Sequence, residues 1–337
     1  MYNLIGKIPF WFGSDDNAVS LYSSVRISRN FKSINFPTSA EFNSFKEVEK
    51  KVDNILEGYI LCGAIVKRDL SHIDQSEILW LQKFRILPDK RNDMLSKMRL
   101  YYNKEFKSFL LTNYIDHLTF FSHECGRSIK KAYNNCISFE GLFDKADLSK
   151  DNSGNYHTSK LDYFGSGVKC FSVLTLPAPR LNGEFSEIIG SLENNMLSKK
   201  DYFSLSEQDL ILITNKDSFS KKQKDIVSDF NKLLDELEKI SKQNMVLNEV
   251  KIVELRQKCQ RIINYDFLTF KNFIEIYHIL SLLRINKLSN IRISELNEQL
   301  GFLIIDSPKT ILSGGMLKKS VIGDFIEKVN GMLNKEE

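Results

Sequence analysis

The chain has 337 residues, 42% of them apolar and 27% charged, with 24 Phe and 12 Tyr, a balance that excludes a disordered protein and suits a packed globular one. Its 47 basic and 43 acidic residues leave a formal charge of +4 without the basic stripe that displaces counterions from DNA, so nucleic acid is not an expected partner. Five cysteines, Cys62, Cys125, Cys136, Cys170 and Cys259, lack C-x-x-C spacing, which argues against a disulfide scaffold or zinc ribbon and for a reducing compartment.

The N-terminal MYNLIGKIPFWFGSDD has too short an apolar run, too soon followed by acids, for a secretory signal. No later run approaches the ~20 apolar residues that span a bilayer, so a cytoplasmic protein without a membrane segment is expected. Single cores stop growing near about 250 to 300 residues, so two structural units are expected. Between Phe45 and Ile65, the side chains of Phe45, Val48, Val52, Ile55, Leu56 and Tyr59 fall near one face at helical spacing. A second helix over Ser76 to Phe84 should stop before Leu87-Pro88, because proline disfavours a helical conformation in its predecessor.

From Lys97 the period shortens. MRLYYN, FKSFLLTN, HLTFF after Asp116, CFSVLTLPA from Cys170 and DLILITN from Asp209 all read as strands. Ser149 to Gly167 is dense in turn formers and is expected to be a loop. Ser220 and Gln223 stand at capping-box spacing before Ile226, Phe230, Leu233, Leu234, Leu237 and Ile240, which marks a long amphipathic helix. Beyond about Met245 only helical stretches remain, near Val250 to Ile263, Phe267 to Leu283, Ile293 to Leu300 and Val321 to Leu333. The stretch from Phe267 to Leu283 is apolar on nearly every side and should therefore be buried on nearly every side, with part of its cover coming from a second copy or a partner. The expected fold is α+β: an antiparallel sheet flanked by helices over residues 1–245, and a helical C-terminal domain over 246–337.

Taken singly, few residues announce chemistry. Gly165-Ser166-Gly167 is a weak phosphate-loop signal, and neither a Walker A loop nor an H-E-x-x-H helix occurs. His123-x-Cys125 offers two metal ligands with no second pair nearby, so no metal site is expected. Asp116-His117 at a strand edge reads as a structural hydrogen-bonded pair before any context is added.

Four colinear segments supply that context. Ser23-Ser24-Val25-Arg26-Ile27-Ser28-Arg29-Asn30, followed by Phe36-Pro37-Thr38, resembles S-S-R-[IV]-R-L-A-R-N and F-P-T of the ATP:guanido phosphotransferases, particularly the bacterial protein arginine kinases. Asn113-Tyr114-Ile115-Asp116-His117-Leu118, with Gly126 beyond, is similar to that family's N-E-E-D-H-[IL]-R. Tyr156-His157-Thr158-Ser159, then Gly165-Ser166-Gly167-Val168-Lys169 and Leu176-Pro177, resembles Y-L-T-S-C-P-T-N-[VL]-G-T-G-L-R and its L-P. Ser313-Gly314-Gly315 is like the S-G-G of the C-terminal domain. The resemblance implies an antiparallel catalytic unit with a helical dimerisation domain, ATP with Mg as cofactor, a homodimer, and a protein partner such as a zinc-finger activator of the arginine kinase system.

The same resemblance exposes departures at the chemical positions. Tyr114 and Ile115 stand where the family has its pair of glutamates, and Lys160, Leu161 and Tyr163 stand at the positions of its cysteine, proline and asparagine. Among the phosphate-binding arginines, Arg26 is present, Ser24 and Thr119 replace two, Lys169 replaces another, and Lys199 to Gln208 lacks the later R-G pair. The resemblance leaves Ser24, Arg26, His117 and Lys169 as cofactor-binding candidates and no retained catalytic residue. A charge-stabilising arginine can be worth on the order of 10³ to 10⁵ in rate, so the expected protein is a catalytically impaired homologue serving as a regulatory or scaffold subunit. The alternative is an active arginine kinase with relocated groups, for which Glu124 and Asp162 are the nearest acids; both are expected to be surface carboxylates.

Overall fold

The computed structural model describes residues 9–12, 19–38, 43–88, 95–175, 183, 187–188, 190, 197–201, 210–216, 218–219, 221–243, 247–265, 268–286, 292–306, 316–317 and 319–333. Its centre is an eight-stranded sheet of β1 (Ser20–Arg29), β2 (Ile65–Asp69), β3 (Arg99–Asn103), β4 (Ser108–Thr112), β5 (Leu118–Cys125), β6 (Val168–Leu174), β7 (Leu197–Asp201) and β8 (Ile211–Asn215). The strands lie in the order β2-β3-β4-β5-β1-β6-β8-β7, each antiparallel to its neighbours. The expected antiparallel α+β architecture is the observed one.

Strand β1 lies in the middle and is buried along almost its whole length. Side chains alternate faces along a strand, so the register sorts the sheet into two layers. Ile27, opposite Phe120 and Val168, belongs to the face covered by α1 (Phe45–Leu61), α3 (Ile129–Glu140) and α4 (Gln223–Gln243). Helix α3 turns Ile129, Ala132, Cys136 and Phe139 to that face, and Tyr101 on β3 bonds Asp53 of α1 at 2.9 Å. The opposite face carries Tyr22, Ser24 and Arg26. Its cover is aromatic: Trp11 and Phe12 from a 3-10 turn, Phe84 and Trp80 at the end of α2 (Gln75–Lys83), and Phe106.

Four further helices follow: α5 (Glu249–Ile263), α6 (Phe270–Ile285), α7 (Ile293–Asp306) and α8 (Lys319–Leu333), with a two-residue ladder between β9 (Leu268–Thr269) and β10 (Met316–Leu317). Thr269 and Asn272 form a capping box that starts α6, satisfying backbone donors that the first turn leaves open. From Phe273 to Leu283 nearly every described side chain of α6 is buried within the chain itself. Phe273 meets Phe325 of α8 at 4.9 Å, the Tyr277 hydroxyl donates to Asn297 of α7 at 2.5 Å, and Lys258 of α5 pairs with Glu275 at 2.5 Å. The expectation that this helix needs a cover from outside is therefore corrected: neighbouring helices supply it. No described helix is long and apolar enough to cross a membrane.

Candidate active site

Ser24 and Arg26 are two residues apart on β1 and so share a face. The register sets Arg26 between Phe121 of β5 and Lys169 of β6, and Ser24 between His123 and Phe171. Three of the four cofactor-binding candidates thus come from two adjacent strands. The fourth, His117, sits just before β5, in the turn that begins at Asn113 (φ 56°) and is closed by the Asn113 N–H bonding to the His117 carbonyl at 3.1 Å. Tyr114 and Ile115 occupy the middle of that turn, both half-buried.

Each basic candidate is already committed. The Arg26 guanidinium lies 5.6 Å from the Phe121 ring centre and 5.2 Å from that of Phe171, and its Nη2 donates to the Arg85 carbonyl at 3.0 Å. Buried Lys169 gives Nζ hydrogens to the carbonyls of Asn215, at 2.7 Å, and Lys216, and pairs with Asp162 at 3.3 Å. His117 accepts from the Phe31 N–H through Nδ1 at 3.1 Å and reaches the Asn35 carbonyl through Nε2 at 2.8 Å, which sets the Nε2–H tautomer. Burial pushes its pKa below the ordinary histidine value. Ser24 and Thr119 present buried hydroxyls without hydrogen-bond partners. Lys160 is exposed, and the Tyr163 phenol beside Arg26 and Asp162 is pushed up in pKa mainly by burial.

The residues that match the family motifs do another job. Asp116 is fully buried and one of its oxygens accepts from Asn30 Nδ2 and the Ser159 N–H, both at 2.7 Å. Asn30 Oδ1 accepts from the His117 N–H at 2.8 Å. Arg29 bonds Glu140 at 2.5 Å and the carbonyls of Ser28 and Ser166, with its guanidinium 3.5 Å from the Tyr156 ring centre. Gly167 (φ +71°) runs so close beneath Arg29 that an added Cβ would stand 2.6 Å from the Ser28 carbonyl. Together they pin the 149–167 loop to the ends of β1 and β5. That loop is largely irregular, as its composition implies, with one 3-10 turn at Leu161–Tyr163 and isolated bridges from Tyr156 to Lys150 and Gly165.

The two acids considered for relocation separate cleanly. Glu124 is a buried residue on the far face of the sheet, held by Lys131 at 2.8 Å and Asn135 at 2.7 Å; its expected surface position is corrected, because a strand that buries both faces leaves no solvent side. Asp162 stays at the site and half-exposed beside Lys169. Sequence reasoning missed Arg85, Phe121 and Phe171 altogether. The period-two alternation from Lys169 to Phe171 was the available signal for the last of these. Ser313-Gly314-Gly315, Leu176-Pro177 and Tyr202 to Gln208 lie outside the described residues. Among the described residues no three His, Cys, Asp or Glu converge as a metal cluster. As arranged, Arg26, Lys169 and His117 each already bond a backbone carbonyl.

The model of the family described as ATP:guanido phosphotransferase, C-terminal catalytic domain, matches residues 46–244. The chain belongs to the ATP:guanido phosphotransferase family. Among curated relatives, a protein-arginine kinase of Clostridium acetobutylicum is 22% identical over 248 residues, 70% of this chain and 71% of that one. Another from Halothermothrix orenii is 23% identical over 302 residues, 86% of this chain and 83% of that one. Among solved structures, lombricine kinase superposes with a TM-score of 0.54 at 17% identity, covering 71% of this chain and 70% of its own. The duplicated taurocyamine kinase of Schistosoma mansoni gives 0.55 at 15% identity over 70% of this chain and 34% of that longer one. At these identities the structural likeness speaks for the guanido kinase fold.

Proposed function

We propose that this chain is a protein-arginine-kinase-like guanido phosphotransferase homologue in which phosphoryl transfer is impaired, and that it acts as a regulatory or scaffold subunit. The observation that carries this reading is the pair Tyr114 and Ile115 in the turn before β5, where the family pattern has glutamates: neither side chain is a carboxylate that could hold a guanidinium. The internal engagement of Arg26 and Lys169 supports it, because phosphoryl transfer depends on charge neutralisation by groups aimed at the phosphates. Assayed with ATP and Mg against free arginine and arginine in protein, the chain is expected to run at least about 10³-fold below an intact family kinase. Turnover near that of an intact kinase overturns the reading.

One observation favours a second reading, an active kinase with a relocated acid: Asp162 is half-exposed and 3.3 Å from Lys169. Activity in the unaltered chain that Asp162→Asn abolishes would establish it. ATP binding on the first reading is weak or absent, and calorimetry in which tight binding survives both Arg26→Ala and Lys169→Ala would remove these residues from the nucleotide site. A cytoplasmic homodimer, with a zinc-finger activator as a further partner, completes the proposal. With α6 covered internally, self-association draws its support from the family resemblance and from Val250 and Val253, 69% and 52% exposed on α5. Light scattering should give twice the 39.1 kDa chain mass, and Val250→Glu with Val253→Glu should halve it.

A further inference from the structure

Beside Arg26, on the aromatic-covered face of the sheet, lies a cavity of about 30 Å³ bounded in part by Ser24, Arg26, Arg85, His123 and Phe171. About 10–15 Å³ suffices for one water-sized particle, so it has room for a small ion and far too little for a nucleotide. Around it the polar side chains of Ser24, Arg26, Arg85 and His123 meet Tyr22, Phe171 and Leu212. Ser24 is 2% exposed and His123 1%, yet Ser24 Oγ, Arg26 Nε and both ring nitrogens of His123 have no hydrogen-bond partner. Buried polar groups are nearly always paired, and a cluster of exceptions around one cavity calls for an occupant.

The chemistry of the lining selects that occupant. Ser24 O–H, Arg26 Nε–H and one N–H of His123 can all donate into the cavity, and a neutral water would leave the Arg26 charge without a counter-ion. Arg26 makes no ion pair among the described residues, and no carboxylate lines the cavity. Burial, and after it the positive charge on Arg26 and Arg85, pushes the His123 pKa well below the ordinary histidine value. Arg85 itself stands in the left-handed region at φ 57°, a conformation that non-glycine residues adopt only when the surroundings impose it.

We infer that this cavity is a binding site for a small monovalent inorganic anion of the halide class, held by Ser24, Arg26 and His123. The inference does not depend on whether phosphoryl transfer is impaired, since it concerns the inner side of Arg26 and a ligand that carries no phosphoryl group. Thermal unfolding of the full chain at constant ionic strength should show a saturable rise of about 2–4 °C in chloride or bromide relative to gluconate. Ser24→Val should abolish that difference. Trp11, whose ring centre is 4.9 Å from that of His123, reports occupancy independently, because bromide in the cavity should quench tryptophan fluorescence saturably. The deciding measurement is anomalous diffraction from crystals of the unaltered protein grown with bromide. A bromide peak within hydrogen-bond reach of Ser24 and Arg26 is expected; a cavity holding only water in those crystals overturns the inference, whatever the variant does, and so does stabilisation by inorganic phosphate in place of halide.

Discussion

At the scale of single residues, Asp116 shows how a motif can outlast the chemistry around it. Its carboxylate holds Asn30 and Ser159 at 2.7 Å each, so Asp116→Ala should cost about 2–4 kcal/mol by removing two hydrogen bonds to a buried carboxylate, read as a lower urea midpoint. Two histidines make stability depend on pH. Burial keeps both His117 and His123 below the ordinary value, so between their folded values and about 6.5 the unfolded chain binds more protons than the folded one. The stability they lend is complete above about pH 6.5 and declines as pH falls, by up to about 1.4 kcal/mol per pH unit for each ring. Urea titrations from pH 7 to 5.5 should show that slope, and His123→Phe should lessen it.

Among the elements, the 149–167 loop depends on two glycines in different ways. Gly167 and Gly154 both have positive φ, at +71° and +83°, but a Cβ on Gly167 collides with Arg29 and Ser28 while one on Gly154 meets nothing within 4 Å. Gly154→Ala should therefore cost only about 1–2 kcal/mol of backbone strain, and Gly167→Ala about 3 kcal/mol or more, with the collision added. Equal shifts in melting temperature for the two variants would show that the Arg29 packing contributes nothing. Helix α3 illustrates the opposite economy: Glu124, Lys131 and Asn135 join it to β5 by side-chain contacts that only sheet formation brings within reach.

Across the whole molecule, the C-terminal helices and the sheet share contacts. The Tyr277 hydroxyl of α6 donates to Asn297 and interacts with Thr175 at the end of β6, and α7 packs on α2 and on the Phe10–Phe12 turn. Such contacts couple unfolding of the two parts, so calorimetry should show one main transition, and Tyr277→Phe should lower its midpoint by an amount worth about 1–2 kcal/mol through loss of the buried hydrogen bond to Asn297. Two well-separated transitions in the unaltered chain would contradict that coupling.

The helices at 45–61 and 223–243, the strands β3, β4, β5, β6 and β8 and the 149–167 loop were legible in the sequence, because periodicity and turn chemistry are local properties. So was the family, through four motifs in matching order. Strand β1 was not read as a strand, since a central strand buried on both faces loses the alternation that marks a half-buried one; its serines and arginines resembled a site. Helix α3 has a polar sequence with a narrow apolar stripe that reads as a helix only once the sheet beneath it exists. Tertiary structure alone decided that Arg26 turns to the carbonyl of Arg85, Lys169 to those of Asn215 and Lys216, and His117 to that of Asn35. Hydrogen bonds between groups up to 82 residues apart depend on how separate strands and turns meet, and no pattern along one stretch of chain carries that information.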